Sequence, residues 1–344
     1  MHAYTDALLL EMQARAEEAK GRVFDTVFFG GGTPSLLPLS DTARLMAAIR
    51  TLFTLKENAE ITLEVNPKTA DKEKLTAFLS MGFNRLSVGV QSLIDRELSL
   101  LGRLHSATDA RDILCAARAA GFQNVSVDLM YGIPAQSTES LCQTLSEILS
   151  FSPEHISAYS LIVEEGTPFY RMQKELALPD EDTEDALHAL IEKTLKENGY
   201  IHYEISNYAK AGFSSRHNTH YWRAEEYLGL GLSAVSFWKG ERRTNTRNME
   251  KYLRSPASSV EESERPTEGE LAYEHVMLGL RLREGIDTDA YEARFAIKLK
   301  EKHKATLDRY KALGILCEDG SRLFLTEKGM RFSNAVLVSL MEEF

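Results

Sequence analysis

The stretch Ile61-Thr62-Leu63-Glu64-Val65-Asn66 (ITLEVN, 61–66) alternates strictly between apolar and polar side chains. Successive side chains of a strand point to opposite faces, so Ile61, Leu63 and Val65 share one face and Thr62, Glu64 and Asn66 the other. The alternation returns at 86–91, where Leu86, Val88 and Val90 oppose Ser87, Gly89 and Gln91. At 125–130 it sets Val125, Val127 and Leu129 against Ser126, Asp128 and Met130. Strand-like runs also occupy 24–29 and 156–162, and helical patterns cover 4–20, 41–53, 71–81, 107–120 and 138–150. Strands alternating with helices at this spacing predict right-handed β-α-β units and a parallel sheet. Buried parallel strands usually read as continuous apolar runs, whereas here one face is small or polar in strand after strand. A closed eight-stranded barrel fills its lumen with branched apolar side chains. The pattern therefore predicts an α/β chain whose sheet curls into a wider, incomplete barrel around a polar lumen.

The bulk numbers narrow the function classes. A chain of 344 residues, 43% hydrophobic and 26% charged, is an ordinary globular composition. Its formal net charge of −11 argues against nucleic acid or an anionic membrane as the main partner. No apolar run approaches the roughly 20 residues of an integral membrane segment. Cys115, Cys142 and Cys317 are an odd, sparse set, which points to the reducing cytoplasm. Cys115 and Cys142 fall in predicted helices and Cys317 in a C-terminal hairpin, and all three read as small buried hydrophobes.

Beyond residue 165 the rhythm changes. Residues 1–165 form the barrel core, and 166–254 form an extension with a helix over 183–198, a strand over 200–205 and an aromatic-rich segment. The Pro/Ser/Glu-rich stretch 255–270 reads as a linker. Residues 271–344 carry helical patterns at 271–283 and 287–294, a helix ending at Gly314, two short strands about Asp319-Gly320 and a helix from Glu327. That is a small winged-helix-like α+β domain, and the acidity of the chain favours a structural role for it over DNA binding.

The first strand runs into Phe28-Phe29-Gly30-Gly31-Gly32-Thr33-Pro34-Ser35-Leu36-Leu37. Glycines at a strand end let the backbone approach a ligand and expose N–H groups to it, although a plain tight turn would use them as well. The spacing is neither the dinucleotide fingerprint nor a P-loop. Four further motifs follow in order: EVNP at 64–67, GVQS at 89–92, LGRLHS at 101–106 and DLMYGIP at 128–134. Each alone is weak. Together they resemble the radical S-adenosylmethionine (SAM) proteins of the oxygen-independent coproporphyrinogen III oxidase family, over nearly the whole chain. The segment His217-Asn218-Thr219-His220-Tyr221-Trp222 matches the His-Asn-x-x-Tyr-Trp hallmark of that family's HemW-type haem-chaperone branch.

The resemblance implies a partial (β/α)6 barrel and three ligands: SAM, a 4Fe–4S cluster and haem. It places Gly31, Gly32 and Thr33 beside the methionine part of SAM, Glu64 on its ammonium, Arg103 on its carboxylate, and Gln91 and Asp128 on its ribose hydroxyls. Opposite charges and hydrogen-bond acceptors of this kind suit such a ligand, while the residues alone leave open an Arg103–Asp128 ion pair. It also implies haem contacts at His217, Asn218, Tyr221 and Trp222, with His217 ahead of His220 as the iron ligand. The bare residues are equally open to an aromatic core patch with a buried histidine.

One departure is large. The family holds its cluster through Cys-x-x-x-Cys-x-x-Cys after the first barrel strand, and no such motif occurs here. Five barrel strands stand where the family has six, so the expectation is a barrel missing its first strand, with cluster ligands upstream and an unpaired edge at 24–29. The function implied is a cytoplasmic haem chaperone that passes haem to acceptor proteins. The alternatives are a coproporphyrinogen III oxidase acting by radical decarboxylation, and a cluster-free protein-interaction module.

Overall fold

A computed structural model describes residues 1–172 and 175–342. Helix α1 (His2–Glu18) leads to strand β1 (Val23–Phe29), and α2 (Leu39–Leu52) to β2 (Thr54–Val65). The repeat continues through α3 (Lys72–Ser80), β3 (Arg85–Gln91), α4 (Asp95–Leu100), α5 (Ala107–Ala120), β4 (Val125–Tyr131), α6 (Thr138–Ser150) and β5 (His155–Ser160). After α7 (Pro168–Met172) and α8 (Glu181–Glu197) come the short strands β6 (Ile201–His202) and β7 (Asn207–Ala209), then α9 (Arg216–Trp222). Strands β1 to β5 pair in parallel in chain order. Antiparallel β7 and β6 extend the sheet to the order β1-β2-β3-β4-β5-β7-β6. The sheet curls into a half barrel with β1 at its free edge, where the sequence predicts an unpaired strand.

Local chemistry sets the helix ends. Ser106 with Asp109 and Ser137 with Ser140 form capping boxes at the starts of α5 and α6, satisfying backbone donors that the first turn leaves open. Gly121 ends α5 at φ 102°, a conformation that glycine adopts at little cost. The apolar strand faces meet the inward stripes of these helices. Leu63, Leu86, Val88, Val127 and Leu129 are fully buried against Leu75, Phe78, Leu114 and Leu145. Truncating one such leucine to alanine costs about 2–5 kcal/mol.

All three cysteines are exposed, contrary to the expectation of buried hydrophobes. In α5 the buried stripe runs through Ala110, Ile113, Leu114 and Ala117, and in α6 through Leu141, Thr144, Leu145 and Ile148. Cys115 and Cys142 each sit one residue beyond a stripe position, about 100° round the helix. Cys317 follows buried Leu316 in a strand, so it turns to the other side.

The stretch 255–270 is more structured than a linker. Strands β8 (Val235–Trp238) and β9 (Glu241–Asn245) form a hairpin, followed by α10 (Met249–Arg254). Strand β10 (Val260–Glu264) then pairs antiparallel with β9. Its charged residues lie on an exposed edge, where Arg242 reaches both Glu264 and Glu274. A sheet edge tolerates the same polar composition that reads as linker in one dimension.

The C-terminal part contains α11 (Glu268–Gly279), β11 (Ile286–Asp287), α12 (Thr288–Phe295), α13 (Leu299–Lys302), α14 (Lys304–Ala312), β12 (Leu316–Asp319), β13 (Arg322–Leu325), α15 (Glu327–Arg331) and α16 (Ser333–Met341). Its sheet, β11-β13-β12, covers a second core that includes Val276, Leu280, Tyr291, Leu323 and Val336. Glu204 stands at the junction with the barrel. It bridges Leu282, while Arg283 N–H donates to the Tyr203 carbonyl at 3.0 Å. The Glu204 side chain is fully buried, and its Oε1 has no hydrogen-bond partner.

Burial pushes the Glu204 carboxyl up to about 7. A raised folded value means that the contribution to stability is complete below the ordinary value near 4.5. It is lost as pH rises through about 7, with a span of roughly 3 kcal/mol. Glu204→Gln should therefore flatten the fall in urea stability between pH 5 and pH 8 relative to the parent. Parallel pH profiles for the two proteins would exclude this role.

Candidate functional site

The site grows from the polar faces of β2 to β5. Register sets Glu64 beside Ser87, Ser87 beside Ser126, and Gly89 beside Asp128 and then Ser157. Ser87 Oγ donates to Asp128 Oδ1 at 3.2 Å across the lumen face. A β-bulge between Gly89 and Gln91 re-aims the strand end, and Gln91 takes φ 61° there. The Asn66 and Gln91 amides lie over Gly89, where a Cβ would stand 2.6 Å from Asn66 Oδ1. A side chain there would push the Asn66 amide out of the mouth.

The glycine loop folds back onto this mouth. Gly31 N–H donates to Glu64 Oε2 at 3.0 Å, and Asn66 Nδ2 donates to Thr33 Oγ1 at 3.3 Å. A Cβ on Gly30 would collide with the Phe28 ring at 2.5 Å, and Gly31 and Gly32 take φ 75° and 43°. The loop holding Arg103 is pinned by His105, whose Nε2 lies 3.2 Å from the Val90 carbonyl, and by Lys68 donating to the Leu104 carbonyl.

The groups meet electrostatically around Tyr159. Its hydroxyl bonds the Gln91 side chain and feels Asp128, Arg103 and Glu64, while burial dominates its upward shift. Burial raises Glu64, opposed by the Gly31 N–H. Asp128 is pushed up to about 6, first by burial and further by the negative charge of Glu64. Two carboxylates strained toward protonation form a place for a cation. The Oε1 of Gln91 is buried with no partner. Among the described residues no ion pair joins Arg103 to Asp128, and Asp128 accepts instead from Ser87.

The motif segment at 217–222, expected beyond the barrel, is docked upon it. Ser215 caps α9 by accepting from Asn218 N–H, and its own N–H donates to Tyr203 Oη. Tyr203 Oη contacts His155 Nε2 at 2.8 Å, and His155 Nδ1 contacts Ser126 Oγ at 2.7 Å. Glu60, nearly buried in the lumen, accepts from Arg216 N–H at 3.2 Å and from His217 N–H at 3.1 Å. The His217 ring stacks on Phe28, with centroids 4.9 Å apart. Burial, with the charges of His220 and Arg85, holds the His217 imidazole down at about 4, so it is neutral at pH 7. His220 is the opposite case: hydrogen bonding to Glu225 and contact with Asp25 raise it.

His217 and Tyr221 border a cavity of about 690 Å³ along the free side of β1. Tyr4, Leu8, Met12, Phe24, Leu228 and Leu230 give it apolar walls, and Gly30 to Pro34 lie at the other end. The structure does not bring Trp222 to this cavity. Trp222 sits further round α9, with the Arg281 guanidinium 5.7 Å from its ring centroid. Glu60, Thr26, Phe28 and Tyr159 were not singled out from sequence. Continuing the two-residue alternation back from Thr62 reaches Glu60, and Thr26 and Phe28 share the phase of Gly30.

A half barrel with a glycine loop, paired carboxylates and an arginine at its mouth has the architecture of a radical SAM protein. The Radical SAM superfamily family matches residues 3–148, and the HemN C-terminal domain matches 267–332. "Heme chaperone HemW" of Lactococcus lactis is 32% identical over 97% of this chain and 88% of the relative. The proteins of that name from Bacillus subtilis and Escherichia coli are each 33% identical over 99% of this chain, and over 91% and 90% of their own lengths. The fold matches the Escherichia coli coproporphyrinogen III oxidase HemN with a TM-score of 0.84. That match is 23% identical and covers 97% of this chain and 82% of the other. The chain belongs to the HemW family of the radical SAM superfamily.

The chemistry of the mouth fits SAM, with carboxylates for its cationic groups and Gln91 Oε1 as a spare acceptor. It does not fit a 4Fe–4S cluster. Among the described residues no group of three or more Cys, His, Asp or Glu side chains could hold a metal ion, and the three thiols are free. Anaerobic treatment of these 344 residues with iron and sulfide should leave no stoichiometric iron and no broad cluster absorption. About four irons per chain would contradict this.

Proposed function

We propose that the chain is a haem chaperone that binds haem at His217 and hands it to acceptor proteins, with SAM held at the barrel mouth. The observation that carries the haem reading is a neutral imidazole at the wall of an apolar cavity of about 690 Å³. That volume lies in the usual range for organic ligands, and neutral imidazole is the form that binds iron. The HemW name of the relatives supports the same reading. Neither Asn218 nor Trp222 lines the cavity; the Asn218 N–H bonds the Ser215 cap and Trp222 packs under Arg281, so their contribution is indirect.

At the mouth, Glu64 would accept from the SAM ammonium, Arg103 would pair with the carboxylate, Gln91 and Asp128 would hold the ribose diol, and Gly31 to Thr33 would flank the methionine. Bound SAM would supply an electrophilic sulfonium cation. Three free thiols, with no disulfide among the described residues, favour the cytoplasm. No described helix is long and apolar enough to cross a membrane. The net charge of −11 disfavours nucleic acid as a partner. Oxidase activity is the second reading, because the fold is also that of HemN. It requires protoporphyrinogen to form from coproporphyrinogen III.

Two substitutions test the haem reading. His217→Ala should shift the haem Soret band and weaken binding, whereas Trp222→Ala should leave the ligation spectrum in place because Trp222 is off the cavity. Wild-type spectrum and affinity in His217→Ala would return the motif to an aromatic patch.

The mouth has its own test in calorimetric SAM titration. Arg103→Ala should cost about 1–3 kcal/mol, the range for a charged hydrogen-bond partner. Arg103→Lys should recover only part, because a planar fork becomes a point charge. Unchanged affinity in Arg103→Ala would remove Arg103 from the SAM site.

A further inference from the structure

Both ring nitrogens of His217 are engaged, and by unlike partners. Nδ1 faces the barrel, 2.9 Å from Thr26 Oγ1 in a part-buried contact. Nε2 faces outward, 3.1 Å from Tyr221 Oη in an exposed one. The Phe28 ring stacked on the imidazole fixes its plane, and Glu60 fixes the backbone it hangs from. Tyr221 is 38% exposed and stands edge-on to both His217 and Tyr227. Three of these four constraints come from barrel strands, and the fourth comes from a side chain with open space beside it.

A neutral imidazole that gives one nitrogen to iron must carry its proton on the other, and that N–H needs an acceptor. Nε2 is the nitrogen with the exposed contact and Nδ1 the one with the part-buried contact, so the proton of the ligated form sits on Nδ1. Thr26 Oγ1 is already at hydrogen-bond distance there.

We infer that Thr26 is a positioning residue for the iron ligand and that Tyr221 is a displaceable cover. On ligation His217 Nδ1–H donates to Thr26 Oγ1, the Tyr221–Nε2 hydrogen bond breaks, and an Nε2–iron coordinate bond forms. Tyr221 keeps its phenolic proton, and no proton is lost from the pair. This inference rests on His217 being the ligand. Because Thr26 lies on β1, four residues before Gly30, the loop at the SAM end and the partner of the iron ligand share one short strand.

The full 344-residue chain is titrated with ferric haem, following Soret absorbance and the electron paramagnetic resonance spectrum of the complex. Thr26→Val keeps the β-branched shape but removes the acceptor. It should weaken binding by about 3- to 10-fold, the range of one hydrogen bond, and shift the resonance signature. Thr26→Ser should restore both, which a packing role for the methyl group would not predict. Tyr221→Phe should keep the ligation spectrum and bind about threefold more tightly, because no hydrogen bond has to break.

A Thr26→Val protein with wild-type spectrum and affinity overturns the positioning role. Loss of the ligation spectrum in Tyr221→Phe overturns the cover and makes Tyr221 the ligand. An unchanged His217→Ala spectrum defeats the ligand reading itself and this inference with it. That result is distinct from either of the other two.

Discussion

A carboxylate buried inside a barrel needs hydrogen-bond donors, and Glu60 finds two of them on another element. A hydrogen bond to a charged group contributes about 1.5–3 kcal/mol, so the N–H groups of Arg216 and His217 tie helix α9 to β2. Four residues further on, on the same face, Glu64 accepts from Gly31. At about 3.3 Å per residue the two carboxylates are roughly 13 Å apart along one strand. Strand β2 thus sets the position of both the motif helix and the glycine loop. The polar alternation that marks β2 in the sequence is the physical means by which it does so.

How far this could be read in advance follows from the range of the interactions involved. The two-residue period of 61–66, 86–91 and 125–130 is local, and it placed Leu63, Val88 and Val127 in the core and Glu64 and Asp128 in the lumen. The free edge at β1 followed from counting strands. The docking of α9 was not legible, because Thr26 and His217 are 191 residues apart and no local period connects them. The exposure of Cys115 and Cys142 was legible, since each lies one step off a clear helical stripe, but residue type outweighed position. The strand at 260–264 was hidden because charged edge strands and linkers share a composition. The chain order of motifs pointed to Glu64, Gln91, Arg103 and Asp128, which meet at the mouth of the half barrel. Tyr159, which they surround, carries no motif at all.

The two ends of the half barrel are electrically different. Around Tyr159 the carboxylates of Glu64 and Asp128 are both raised, so a cation entering there relieves a repulsion already present. At α9 the half-buried imidazole of His217 is kept uncharged by its desolvation and by the positive neighbours His220 and Arg85. A neutral nitrogen beside apolar walls favours a flat, largely apolar metal complex over a small hydrated ion. The same sheet therefore offers opposite chemistry at its two ends without any change of backbone type.

The free edge of β1 links these ends and gives the cavity its character. One side of β1 is spent on pairing with β2, and the other faces apolar side chains of α1, α2 and the 228–235 segment. Backbone donors and acceptors along such an edge are costly to enclose with apolar groups alone. A ligand that fills this space must either satisfy them or leave them wet. A porphyrin presents apolar faces and anionic carboxylates on its rim, so it could cover Phe24, Leu228 and Leu230 while its polar rim stays at the exposed end. On the proposed haem reading, His217, held by Thr26 and Phe28, would fix the iron's position from β1, and the open part of that edge would orient the rim.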